Sequence, residues 1–271
     1  MSKALFFDID GTLYNFQGVM PKSTKRALAK AREQGHQLII CTGRSMFQIY
    51  PELLCEFDGV IGSTGAIVKR GEQVIYEHYM PADTIKQIEA VFRDENAHIA
   101  AMTEHQMILN EACKAYMLDR FGNRYGGEQF VRRVLGDYRI SDSFLPFSNI
   151  KKFLYYDASI TVQEVSELLS GVCDVTPSSI ESERKCSGEI SVKGINKSLG
   201  IEKYIEASGI CRQDTVAFGD GPNDLDMVEY AHIGVAMGNG VPALKERADF
   251  VTKGIQEDGI EYAMKTLGII A

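Results

Sequence analysis

The stretch Ala4-Leu5-Phe6-Phe7-Asp8-Ile9-Asp10-Gly11-Thr12-Leu13 decides the reading of this chain. Its first four residues are a short apolar run of the kind an α/β sheet buries as a strand. That strand delivers Asp8 and Asp10 to its C-terminal end, where open α/β sheets build their sites. Residues 8 and 10 share one face of an extended chain. Two carboxylates held that close repel unless a cation or a proton lies between them. The stretch therefore predicts a bound metal, a raised carboxylate pKa, or both. The plainer alternative is a strand-to-helix turn, which Asp, Gly and Thr also suit.

Outward from this strand the chain alternates. A helical stretch after Pro21 carries Ala27, Leu28 and Ala31 as its inner stripe and Gly35 as its stop. The strand Gln37–Cys41 follows, then a helical stretch Ser45–Leu54 and the strand Gly59–Gly62. Such alternation implies a parallel sheet with right-handed crossovers. From Pro81 the texture changes. Helices are expected at Asp83–Glu95, Glu111–Phe121, Glu128–Leu135 and Val162–Leu169. Strands are expected at His98–Met102, Gln106–Leu109, Lys152–Tyr156, Cys173–Thr176 and Ser179–Glu183. After Gly188 the first rhythm resumes, with helices Asn196–Ala207, Asp224–Tyr230 and Gly259–Leu267 and strands Thr215–Gly219 and Ile233–Met237. The expected fold class is α/β: a Rossmann-like, doubly wound parallel-sheet core with an inserted α+β cap. Residues 1–82 and 186–271 form the core, and 83–185 the cap.

Composition narrows the function. With 45% hydrophobic residues over 271 positions, the chain can bury a sizeable core. A net charge of −8 argues against a nucleic-acid or anionic-membrane surface. No basic segment with an apolar run behind it opens the chain, and no run reaches the length of a membrane span. The six cysteines are scattered without a Cys-x-x-Cys, which fits reduced thiols in a cytoplasmic protein.

Three further stretches carry chemistry. Thr42-Gly43-Arg44 sets a hydroxyl and a backbone N–H at a strand end, which suits a phosphoryl oxygen, although taken alone the stretch reads first as an ordinary capped turn. Lys193-Gly194-Ile195-Asn196-Lys197 offers two lysines at a helix start, where a cation opposes the dipole and makes sense facing an anion. Gly219-Asp220-Gly221-Pro222-Asn223-Asp224 places two more carboxylates and an amide at another strand end. An EF-hand fails there, because Pro222 and Leu225 stand where Asp or Asn and Gly are needed. Gly238-Asn239-Gly240-Val241-Pro242-Ala243 reads as a loop at the rim of the site with Asn239 pointing inward, since no ribose-binding half follows it.

Taken in order, these stretches resemble the haloacid dehalogenase-like phosphohydrolases, and within them the Cof-type members with a large α/β cap. The likeness spans nearly the whole chain. It implies Asp8 as nucleophile, Asp10 as acid/base, and Thr42 with Gly43 as the phosphoryl cradle. Lys197 matches the third-motif lysine, with Lys193 as second candidate. Asp220 matches the metal-ligating acid, beside Asp8 and the Asp10 carbonyl, with Asn223 and Asp224 supporting. The implied cofactor is Mg²⁺, an ion that prefers oxygen ligands and keeps some water. The implied partner is a small phosphorylated metabolite, turned over by a monomer or weak homodimer through an aspartyl-phosphate. One departure is Thr64-Gly65-Ala66, where the family usually shows Asn-Gly-Ala. Two rivals use similar residues: a phosphomutase, and a receiver-like module that keeps its phosphate. Asp10 argues against the second, because it supplies the base that shortens the intermediate's life.

Overall fold

The computed structural model describes residues 2–93, 95, 97–125, 136, 138–178 and 186–271, with no side-chain description for 121–125. The chain forms two compact units. The first comprises Met1–Gly43, Tyr50–Glu77 and Asn196–Ala271; the second comprises Arg44–Ile49 and His78–Ile195. The second unit thus extends past both expected borders of the insertion. No helix among the described residues is long and apolar enough to cross a membrane.

In the first unit the described strands make an eight-stranded sheet. Its order is Phe250–Val251, Ile233–Ala236, Thr215–Gly219, Ala4–Phe7, Gln37–Cys41, Gly59–Gly62, Ile67–Arg70, Gln73–Glu77. The first six run parallel; the last two add an antiparallel hairpin that the sequence reading lacked. From Ala4–Phe7 the chain builds outward one way, then returns to build the other way from Thr215–Gly219. The strand order therefore reverses between these two strands, the place where open α/β sheets bind ligands.

Strand Ala4–Phe7 is buried on both faces. Ala4 and Phe6 join a cluster with Ile201, Tyr204 and Ile205 of helix Lys197–Ser208. Leu5 and Phe7 point the other way, and Phe7 stacks on Phe218. Helix Lys22–Glu33 packs on helix Gly259–Thr266 and buries Ala27, Leu28 and Ala31 as expected. It ends where Gly35, at φ 82°, donates to Arg32 O while His36 donates to Ala31 O, satisfying two terminal carbonyls.

The expected helix Ser45–Leu54 is instead a short 3₁₀ turn Met46–Gln48 and a separate helix Pro51–Glu56. Proline lacks the N–H an interior position needs and drives the residue before it, Tyr50, out of the helical region, so the helix restarts at Pro51.

The second unit holds a six-stranded sheet in the order Cys173–Pro177, Gly188–Val192, Lys152–Tyr156, His98–Met102, Met107–Leu109, Tyr138–Ile140. All pairs are antiparallel except the last. The chain from residue 186 onward was expected to belong to the core, and Gly188–Val192 was not read as a strand. It completes this sheet instead, which carries the unit to Ile195. Helices Ala82–Phe92 and Val162–Leu169 cover one face around Phe153, Tyr155 and Ile190. Helix Glu111–Tyr125 brings Cys113 and Met117 to the other face, beside Tyr156. The expected helix Glu128–Leu135 and strand Ser179–Glu183 lie outside the described residues.

Candidate active site

Hydrogen-bond register brings the acids together. Phe7 pairs with Phe218, and Asp8 N–H donates to Phe218 O at 3.0 Å, so Asp8 stands level with the start of the Gly219–Asp224 loop. Neighbouring strands lie about 4.8 Å apart, so carboxylates from adjacent ends meet. Asp8, Asp220 and Asp224, all buried, each offer an oxygen, and the three oxygens lie within 4.8 Å of one another.

Gly11 makes the approach of Asp220 feasible. It adopts φ 88°, and a Cβ there would collide with the Asp220 carboxylate. Thr12 Oγ1 then donates to Asp220 Oδ1 at 2.9 Å, and Asn239 Nδ2 donates to Gly11 O at 2.9 Å. Asn239 is thus held inward, while its Oδ1 accepts from Ile255 N–H.

Lys197 is the buried cation. Asn196 caps helix Lys197–Ser208 by accepting from Leu199 N–H, which sets Lys197 as the first helical residue. Its Nζ donates to Asp8 Oδ1 at 2.7 Å and to Asp224 Oδ1. The second Asp224 oxygen accepts from the N–H groups of Asp220 and Gly221, at 2.9 and 2.8 Å. Both oxygens of Asp224 are therefore engaged by the protein. Lys193 is exposed and donates to Ser170 O.

The charges do not balance within the protein. Burial pushes the Asp8 carboxyl up to about 7; Lys197 opposes the rise, while Asp224 and Asp10 add to it. Burial, then Asp224 and Asp8, push Asp220 up to about 9. Burial works against the Lys197 ammonium, but Asp224 and Asp8 outweigh it and hold its pKa well above the usual value. Three carboxylates around one ammonium are relieved by protons, as these raised values describe, or by a further cation, and an all-oxygen donor set suits a hard divalent ion. The residues fit a metal.

The remaining expected residues lie in the segments that directly follow strands Ala4–Phe7, Gln37–Cys41 and Thr215–Gly219. Asp10 is half-buried, and its backbone bridges to Tyr14. Thr42, fully buried, follows the strand next to Asp8; its N–H donates to Ile61 O and its carbonyl accepts from Thr64 N–H. Gly43 and Asn223 are half-buried, and the Asn223 amide oxygen lies over Gly221. Sequence reasoning missed Thr12 as a partner of Asp220. It also missed Asp226, whose carboxylate accepts from Ser198 N–H at 2.7 Å. The signal for Asp226 was a cation at a helix start, which needs a nearby anion.

A profile of the haloacid dehalogenase-like hydrolases matches residues 5–264. YkrA of Bacillus subtilis strain 168, which carries a provisional phosphatase name, is 36% identical over 281 residues, covering 99% of each chain. YitU of the same organism, named a 5-amino-6-(5-phospho-D-ribitylamino)uracil phosphatase, is 26% identical and covers 95% of this chain and 94% of its own. Among solved structures, the subclass IIB sugar phosphatase BT4131 superposes with a TM-score of 0.82 at 33% identity, over 99% of this chain and 100% of that one.

Proposed function

We propose, for a chain that belongs to the haloacid dehalogenase-like hydrolase family and is one of its Cof-type phosphatases, a Mg²⁺-dependent hydrolysis of small phosphorylated metabolites through an aspartyl-phosphate. The observation that carries this reading is Lys197, buried between Asp8 and Asp224 with Asp220 alongside.

Asp8 is the nucleophile. Its carboxylate oxygen attacks phosphorus in line, and the new O–P bond forms as the ester P–O bond breaks. The electron pair leaves with the alkoxide, to which Asp10 gives a proton. Water then attacks the aspartyl-phosphate, Asp10 takes its proton, and Asp8 leaves as carboxylate with inorganic phosphate released. Lys197 neutralises the phosphoryl oxygens, while the Thr42 hydroxyl and Gly43 N–H orient them. Asp8, Asp220 and the Asp10 carbonyl would hold Mg²⁺, supported by Asn223 and Asp224. When bound, the ion would screen the phosphate dianion from the attacking carboxylate and stabilise charge in the transition state.

Sugar phosphates and ribityl phosphates, named for two relatives, are phosphomonoesters of polyhydroxylated carbon chains. We place the substrates of this chain in that class. The test is a panel of phosphate esters assayed with Mg²⁺ and with EDTA. Expected is phosphate release that needs Mg²⁺, needs no bisphosphate activator, and falls by about 10³-fold or more in Asp8→Asn. Release only with a bisphosphate activator would favour a mutase. Full activity of Asp8→Asn would remove the proposed nucleophile.

A further inference from the structure

Lys197 sits where a helix least favours a cation. It is the first residue of Lys197–Ser208, facing the positive end of the dipole, and the first turn of that helix holds no acidic residue. Its side chain is fully buried. Asp8 and Asp224 neutralise the ammonium itself. The free N–H groups of the helix start are met separately. The Asn196 side chain accepts from Leu199 N–H at 2.9 Å, and the Asp226 carboxylate accepts from Ser198 N–H at 2.7 Å.

Asp226 lies in the first turn of helix Leu225–Tyr230, directly after the loop that supplies Asp220 and Asp224. One short segment thus grips the helix start twice: Asp224 by the Lys197 side chain, Asp226 by the adjoining backbone. A carboxylate at that point also offsets the dipole that Lys197 opposes. The helix start is closely seated elsewhere too, since a side chain on Gly65 would run into the Asn196 carbonyl.

We propose that Asp226 is a positioning residue for phosphoryl transfer: by holding Ser198 N–H it fixes where the helix begins, and so keeps the Lys197 ammonium between Asp8 and Asp224. This rests on the reading of Lys197 as the group that orients the phosphoryl oxygens. Asp226 touches neither substrate nor metal. Its contribution is the placement of a charge whose displacement by about 1 Å can cost about 10²-fold in rate.

The test is steady-state kinetics on para-nitrophenyl phosphate with Mg²⁺, for Asp226→Ala, Asp226→Asn, Lys197→Ala and the Asp226→Ala/Lys197→Ala double variant. Asp226→Ala should lower kcat by about 10- to 100-fold with a much smaller change in KM. Asp226→Asn, which keeps an acceptor oxygen, should recover most of the loss. In the Lys197→Ala background Asp226→Ala should add nothing, because the two act as one unit. A wild-type kcat in Asp226→Ala with Lys197→Ala impaired overturns the role of Asp226 alone. So does an equal fractional loss in both backgrounds. Full activity in Lys197→Ala overturns the assignment of Lys197, and that of Asp226 with it. If Asp226→Ala does not fold, Asp226→Glu carries the test by moving the carboxylate one methylene outward. A lowered kcat with KM kept then supports the role, and an unchanged kcat overturns it.

Discussion

Lys197 Nζ and Asp8 Oδ1 lie 2.7 Å apart although 189 residues separate them in the chain. The contact exists only when the returning segment has docked its helix against the sheet that begins at Ala4. It is buried, and it joins the third and first of the motifs that the sequence singled out.

Removing one partner of such a contact leaves charge stranded. Lys197→Met would leave Asp8, Asp220 and Asp224 together with no ammonium among them. Loss of a buried partner typically costs about 3–5 kcal/mol. In EDTA the variant should therefore unfold at much lower urea than the parent. Mg²⁺ should restore part of that stability and little of the activity, because the phosphoryl oxygens still lack their cation. Urea titrations with and without Mg²⁺ check this.

The same crowding sets a pH dependence. The Asp8 and Asp220 carboxyls, raised to about 7 and about 9 in the fold, keep protons that an unfolded chain has released above about pH 4. The folded state then binds more protons, so the stability of the metal-free protein falls as pH rises from about 4 through those values. A divalent cation needs the ionised forms and reverses the penalty. The gain in melting temperature on adding Mg²⁺ should be larger near pH 8 than near pH 5.5, with protons released on binding. An equal or larger gain at the acid end would contradict this account.

Much of this arrangement was legible in the sequence, for a physical reason. A site at strand ends in an α/β sheet uses short local signals: an apolar run, then acids, then a tight turn. Asp8, Asp220 and Lys197 each carry such a signal. What stayed hidden depends on pairing across distance. Gly188–Val192 reads Gly-Glu-Ile-Ser-Val and buries even Glu189 and Ser191, and nothing local says which sheet it joins. Its partners Lys152–Tyr156 and Cys173–Pro177 decide that. The hairpin Ile67–Arg70 and Gln73–Glu77 is hidden in the same way, because antiparallel pairing lies outside the β–α alternation of the parallel strands. Asp226 carries no local signal, because the N–H from which it accepts belongs to another helix.

Thr64 gives a test of local strain. It adopts φ 57°, ψ 38°, a conformation that β-branched residues strongly disfavour, and its buried hydroxyl has no hydrogen-bond partner among the described residues. Asn tolerates that region well. Thr64→Asn should stabilise the fold by about 1 kcal/mol. Gly65→Ala should do the reverse, since its Cβ would meet the Asn196 carbonyl at a φ of 94°. Chemical unfolding of the two variants measures both signs.

The central claim is that Asp8 carries the phosphoryl group and Asp10 releases it. Asp10→Asn, given a phosphate-ester substrate with Mg²⁺ and quenched in acid, should accumulate one phosphoryl group, which peptide mass spectrometry finds on the fragment containing Asp8. Its disappearance should be far slower than in the parent protein. Phosphate on another residue, or undiminished turnover with Asp8 replaced by Asn, would contradict the account.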